Sequence, residues 1–266
     1  MKIYISADIE GCCGVTDWNE ATIAHAEYAP FREQMTAEVV AACEGALAAG
    51  AKEILVRDAH ATARNLIGSN LPREARLVRA WSGDPFCMVE GLDESFDAAF
   101  FIGYHARASS GGNPLAHTMS SSRIAGMRIN GIWASEYLLY AQAAATVGVP
   151  VVFVAGDEEI CEDVRQANAL CRTFAVKKGR GATTINLHPT VALEGIRAES
   201  EAALRGDLEA AKLTLAESFV LEIGYKEQQV AFQKAFYPGA TLSSPTTVRL
   251  ETEDYYELLR AVMFLI

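Results

Sequence analysis

An apolar run at Lys2-Ile3-Tyr4-Ile5-Ser6-Ala7 is followed by an apolar stripe recurring every four residues, Met35, Val39, Cys43 and Leu47, and then by a second apolar run from Glu53 to Asp58. The runs read as strands, and the stripe reads as an amphipathic helix over Phe31–Ala49, closed by Gly50. Strand, helix, strand in one crossover unit means parallel pairing, and the right-handed crossover rule puts both strand C-termini at one edge. The same rhythm continues. Ala75–Ala80, Asp97–Tyr104 and Val149–Ala155 are expected strands, and Ala134–Val147 and Asp157–Leu170 are expected helices. Residues 15–30 and 84–96 suit loops with short helices, and Ile124–Ile132 suits a hairpin turning at Asn130-Gly131. After about residue 180 the pattern loosens into helices from Pro189 and from Asp207, strands near Ser218–Ile223 and Thr246–Leu250, and a final helix from Thr252. The expected fold is α/β: a mostly parallel sheet with helices on both faces, plus a smaller C-terminal α+β portion.

The strand ends carry chemistry. Asp8 and Glu10 follow the first strand, and alternate side chains of an extended chain share a face. Alone, such a pair is as easily a solvated strand-to-loop junction. Asp58-Ala59-His60, however, closes the second strand, and His105 follows the strand that starts at Asp97. Ligand sites in open parallel sheets form outside the strand C-termini, so separate strands bring Asp8, Glu10, His60 and His105 to one crevice. Imidazole and carboxylate donors suit zinc, with manganese or iron also possible. Asp8, innermost on its strand, suits a bridge between two ions about 3.5–4 Å apart. Glu136, in the first turn of a helix, either adds a ligand or complements the helix dipole. His117, beyond the small-residue loop Ala108–Pro114, is either a surface histidine or an acid–base group beside the crevice. His25 and His188 have no acidic or glycine context and read as structural or surface positions. Cys12 and Cys13 adjoin a glycine turn and read as small buried hydrophobes outside the ligand set. These features make residues 1–180 the expected α/β metal-binding catalytic domain, with 181–266 packed on it.

A net charge of −11 argues against nucleic acid as a partner, because that affinity needs a basic footprint. Six cysteines without a C-x-x-C pair suit reduced thiols and a cytoplasmic location. Lys2 followed by acids from position 8 does not suit a signal peptide, and no apolar run approaches the ~18 residues of a membrane span.

Ser6-Ala7-Asp8-Ile9-Glu10-Gly11, Asp58-Ala59-His60, Met88-Val89-Glu90-Gly91-Leu92-Asp93, Phe101 to Ser109 and Val154-Ala155-Gly156-Asp157 together resemble the DppA-type D-aminopeptidase family of zinc peptidases. The resemblance covers nearly the whole chain and is strongest over residues 1–160. It implies two Zn2+ ions per subunit held by Asp8 as bridge, Glu10, His60, His105 and Glu136, with His117 catalytic. It also implies a short peptide substrate cleaved after an N-terminal D-residue such as D-alanine, and a self-compartmentalising homodecamer. Arg107 would either anchor a substrate carboxylate or pair with a nearby acid. The alternatives are an aminopeptidase or amidase acting on L-peptides or other small amides, a two-metal phosphoesterase, and a zinc-stabilised assembly protein without turnover.

Overall fold

In the computed structural model, which describes residues 1–266, the chain runs β1 (Lys2–Ala7), α1 (Trp18–Ala21), α2 (Tyr28–Ala48), β2 (Glu53–Asp58), β3 (Ala75–Val78), β4 (Ala98–Tyr104), β5 (Ile124–Ile129), β6 (Ile132–Trp133), α3 (Glu136–Thr146), β7 (Val151–Asp157), α4 (Glu158–Ala167), β8 (Arg172–Arg180), β9 (Thr183–Asn186), α5 (Pro189–Leu204), β10 (Phe219–Tyr225), α6 (Gln228–Lys234), β11 (Thr241–Ser244), β12 (Thr247–Thr252) and α7 (Tyr255–Leu265). Seven strands form one sheet in the order β3-β2-β1-β4-β7-β8-β9. All its pairings are parallel except β8 with β9. Five strands form a second, antiparallel sheet in the order β11-β12-β10-β5-β6. The α/β class expected from the sequence is the observed one.

Alternation along β1 sorts the core. Ile3, Ile5 and Ala7 point into an apolar cluster with Met35, Val39 and Cys43 of α2 and Ala192 and Ile196 of α5. Tyr4 points the other way, into a cluster with Phe101 and Tyr104 of β4, the buried face of α3, the second sheet and α7. Each fully buried Ile or Phe contributes about 1.5–3 kcal/mol, so both faces of the parallel sheet are committed. Tyr255 of α7 also donates to the Leu139 carbonyl of α3, at 2.7 Å.

Register then fixes the edge. Ala7 lies opposite Asp58 on one side and Ile102 on the other, so the chain leaves β1, β2 and β4 at one level. Because β2 lies on one side of β1 and β4 on the other, the connections diverge there and leave a crevice between β1 and β4. Gly103 (φ +73°) and Gly11 make that junction possible, since a Cβ on the first would overlap the Asp8 carbonyl and on the second the Tyr104 carbonyl.

Sheet membership does not follow sequence order. The hairpin at Asn130-Gly131 forms as expected, with both residues at positive φ, but β5 pairs with β10 of the second sheet. β9 completes the first sheet, and α5 packs beside α2 on that sheet's outer face. The helix expected from Asp207 is absent. Leu208–Ala211 form turns, and Asn168 donates to the Ala211 carbonyl that a continuing helix would need as an acceptor. The final helix begins at Tyr255, capped by Asp254.

The α2–α5 contact depends on Gly45, where a Cβ would collide with the Arg197 carbonyl and the Ser200 hydroxyl. Helix propensity alone would make Gly45→Ala stabilising by about 0.5–1 kcal/mol. The collision is expected to win, with a net loss of about 1–3 kcal/mol in equilibrium denaturation; a more stable variant would contradict this packing.

Candidate metal centre

Asp8 and Glu10 leave β1, His60 follows β2 and His105 follows β4, each buried at the crevice. Asp8 faces two ways: its Oδ1 lies 3.2 Å from His60 Nδ1 and its Oδ2 lies 3.6 Å from His105 Nε2. Glu10 Oε2 is 3.0 Å from the same His60 nitrogen. Glu136 is the first residue of α3, whose cap is Ser135. Its carboxylate reaches His105 Nε2 at 3.3 Å and His117 Nε2 at 3.6 Å and accepts from the Met119 amide at 2.6 Å. The donors fall into two groups, Asp8–Glu10–His60 and His105–His117–Glu136, with the ligand-capable atoms in each within 4.8 Å of one another. The six site residues expected from the sequence therefore meet in one place.

Backbone carbonyls set the tautomer of each histidine. His60 Nε2 donates to the Ala21 carbonyl at 2.6 Å, His105 Nδ1 to Ala106 at 2.9 Å and His117 Nδ1 to Leu115 at 2.9 Å. The opposite nitrogen of each ring is thereby the one that faces the carboxylates, the pattern by which proteins orient metal-binding imidazoles. Glu10 Oε2 and His105 Nε2 are buried with no hydrogen-bond partner. A cation among these lone pairs would satisfy both, so the residues fit a metal.

The electrostatics of the metal-free cluster show strong compensation. Burial, and then the neighbouring Glu10, push the Asp8 carboxyl well up. Burial acts the same way on Glu10 and Glu136, but His60 outweighs it at Glu10, and His105 with His117 outweigh it at Glu136, so both carboxyls lie below the usual range. Burial works against charge on His60 and His105. Glu10 and Asp8 nonetheless hold His60 well above its ordinary value, and Glu136 chiefly pushes His105 up to about 10.

The cluster opens into a cavity of about 410 Å³ whose floor is Asp8, Glu10, His60 and Glu136. Trp18 and Trp81, Met88 and Met119, Ser120 and Ser121 form much of its wall. His117 lines it as well, stacked on His105 at 4.4 Å between ring centres and touched edge-on by Trp18 at 5.3 Å. Three residues of the wall, Ala61, Cys87 and Met119, hold positive φ, a strained conformation that clusters at functional sites.

Comparison with known proteins agrees with this geometry. The D-aminopeptidase family model matches residues 1–264. The chain belongs to the D-aminopeptidase family. The D-aminopeptidase of Bacillus subtilis (strain 168) is 34% identical over 270 residues, spanning 99% of this chain and 96% of the relative. A solved structure, the Zn-dependent D-aminopeptidase DppA from Bacillus subtilis, a self-compartmentalizing protease, is similar with a TM-score of 0.94 at 31% identity, over 100% of this chain and 96% of that one. As a family member the chain is a peptide hydrolase of the aminopeptidase type.

Within that family frame, the other singled-out residues find their places. His25 is exposed, and His188 caps α5 by accepting from the Thr190 amide. Cys12 and Cys13 donate to the Asp8 and Leu187 carbonyls and stand outside both donor groups. All six cysteines are free, and no helix is long and apolar enough to cross a membrane. Arg107 lies over Trp133 and lines a separate cavity with Asp163. The wall tryptophans Trp18 and Trp81 were not foreseen, and nothing in their local sequence marks them.

Metal uptake must displace the protons held by His60 and His105. Loading the metal-free protein with a divalent cation at pH 7 is expected to release protons, measured by calorimetry in buffers of different ionisation enthalpy. Release should decline as the pH passes about 10, where His105 has already lost its proton. Uptake without proton release would contradict the assigned charge states.

Proposed function

We propose that the chain is a zinc-dependent aminopeptidase that removes N-terminal residues, D-amino acids such as D-alanine, from short peptides at a site for two zinc ions per subunit. The observation that carries this reading is the Asp8 carboxylate, whose two oxygens face the two donor groups separately. Asp8, Glu10 and His60 would hold one ion, and Asp8, His105 and Glu136 the other. Nitrogen and carboxylate donors of this kind suit zinc, and the Zn-dependent relative supports the choice. Ions so held supply Lewis-acid polarisation of a carbonyl and a water nucleophile near neutral pH.

The remaining work falls to the chain. His117 serves as general acid and base: its Nδ1–H is tied to Leu115, which leaves Nε2 to take a proton from the attacking water and return it to the departing amine. It is the member of the stacked His105–His117 pair that lines the cavity. A free, neutral α-amine on the substrate would suit an ion held at this floor as a further nitrogen ligand, which is the selection an aminopeptidase needs.

The fifteen residues lining the cavity include no lysine or arginine, which disfavours a phosphoesterase. An open cavity above the donors likewise disfavours a purely structural ion. Cleavage of L-peptides or other small amides is the second reading, and a matched panel of D- and L-dipeptides and amino-acid amides separates the two. A cytoplasmic homo-oligomer, decameric by family resemblance, completes the proposal. The exposed Phe232 of α6, Phe236 just beyond it and Phe264 of α7 support burial against further copies.

His117→Ala is expected to lower hydrolysis of D-Ala-D-Ala about 10²- to 10⁴-fold while bound zinc stays near two per subunit. Retained activity, or loss of one zinc, would overturn the acid–base role. Asp8→Ala should empty both sites and Glu10→Ala only one; metal analysis showing equal losses would refute the bridge.

A further inference from the structure

Behind the floor of the cavity lies a second layer of buried polar groups that the proposed reaction does not use. Lys177, on β8, is 3% exposed, and its ammonium donates to the main-chain carbonyls of Glu10 and Val15. Asn113, 4% exposed, donates from its Nδ2 to the same Glu10 carbonyl and to Asp157 Oδ2, at 2.9 Å each. Asp157, fully buried at the end of β7, accepts from the Ala106 amide next to His105 and caps α4 through the Ile160 amide. Asn113 Oδ1 in turn accepts from the Leu115 amide, whose own carbonyl holds His117. One connected network therefore touches the main chain at Glu10, beside His105 and beside His117.

A buried ammonium costs several kcal/mol in desolvation unless it is paired. The charged neighbours of Lys177 include Asp157, Glu38 and Glu10, yet its hydrogen bonds go to the loop carrying Glu10 and Val15. That loop is neither helix nor strand from Asp8 to Asp17; backbone bonds tie Asp8 and Gly11 to β4, while the Glu10 and Val15 carbonyls are held by Lys177.

We propose that Lys177, together with Asn113 and Asp157, is a positioning residue for Glu10: two buried donors on one carbonyl hold the residue so that its carboxylate faces His60. The role rests on the two-ion reading given above. Partners that orient metal ligands are worth about 10- to 100-fold in metal affinity, and here the effect should be confined to one site. The ion held by Glu10 and His60 depends on the gripped loop, whereas His105 and Glu136 approach from β4 and α3.

The test is a cobalt(II) titration of metal-free protein, followed by visible absorption and by competition with a chelator, on wild type, Lys177→Met, Asn113→Ala and Glu10→Ala. Wild type should bind two cobalt ions per subunit. In Lys177→Met and Asn113→Ala, one site should weaken about 10- to 100-fold while the other stays within about threefold, and the missing spectral component should match the one lost in Glu10→Ala. Asn113→Ala removes no charge and leaves the lysine contact in place, so it decides the matter if Lys177→Met does not fold. Two ions in wild type with both sites weakened equally, or neither weakened, would overturn the positioning role and leave the two-ion reading standing. Fewer than two ions in wild type would overturn both.

Discussion

The carboxylate of Asp8 is the point on which the structure depends. It is buried, within reach of two imidazoles, and close enough to Glu10 that the neighbouring acid adds to its cost of ionisation. Desolvated charge at this density is tolerated only with compensation of matching sign and geometry. The parallel sheet supplies the geometry. Because β1 is flanked by β2 and β4 in a register that ends all three strands level, His60 and His105 arrive on opposite sides of one carboxylate. Shifting either neighbour by one residue would turn its alternating side chains over and take its histidine out of reach.

Two kinds of support divide the site. The donors from β1, β2 and β4 sit on strand ends whose amides are already paired across the sheet, as in the bonds from Asp8 N to the Ile102 carbonyl and from Gly11 N to the Gly103 carbonyl. His117 comes from a loop and is fixed by side contacts. Its Nδ1 donates to the Leu115 carbonyl, Trp18 packs on its ring in a T-shaped contact, and the adjacent Thr118 hydroxyl ties Ala108 to Ala134. A group that exchanges protons during turnover gains from such a perch, because its ring keeps its orientation while one nitrogen remains open to the cavity. The rigid half suits charge that must stay put.

Legibility in the sequence followed the same division. Asp8, Glu10, His60 and His105 stand beside apolar runs that read as parallel strands, so their convergence could be inferred from strand periodicity and from the rule that parallel sheets bind at their strand C-termini. Glu136 was ambiguous for a physical reason: the first position of a helix favours an acid whether or not anything binds it, and only the packing of α3 against the crevice aims the side chain at His105. β8 is not legible in the sequence because Lys177, Lys178 and Arg180 look like a solvated segment. Their burial differs widely, and Lys177 is almost fully enclosed while its neighbour Lys178 is paired at the surface with Glu158. Trp18 and Trp81 belong to the wall through tertiary contacts: Trp81 donates to the Ala61 carbonyl and lies against the Arg57 guanidinium, and no local pattern encodes either contact.

The tautomers explain why this cluster is a receptor for cations and not simply a costly salt-bridge network. Were the imidazoles present only to neutralise the acids, both nitrogens of each ring could serve as donors to carboxylates. Instead one N–H of every histidine is used on a main-chain carbonyl. The fold thereby uses backbone acceptors to choose which nitrogen faces the acids, and that nitrogen offers its lone pair to a metal once its proton is displaced. Glu10 Oε2 and His105 Nε2, buried and unpaired, lie on that chosen side. A proton can satisfy one lone pair at a time, whereas a divalent ion gathers several at once, and an arrangement already set in this way leaves little reorganisation to oppose its entry.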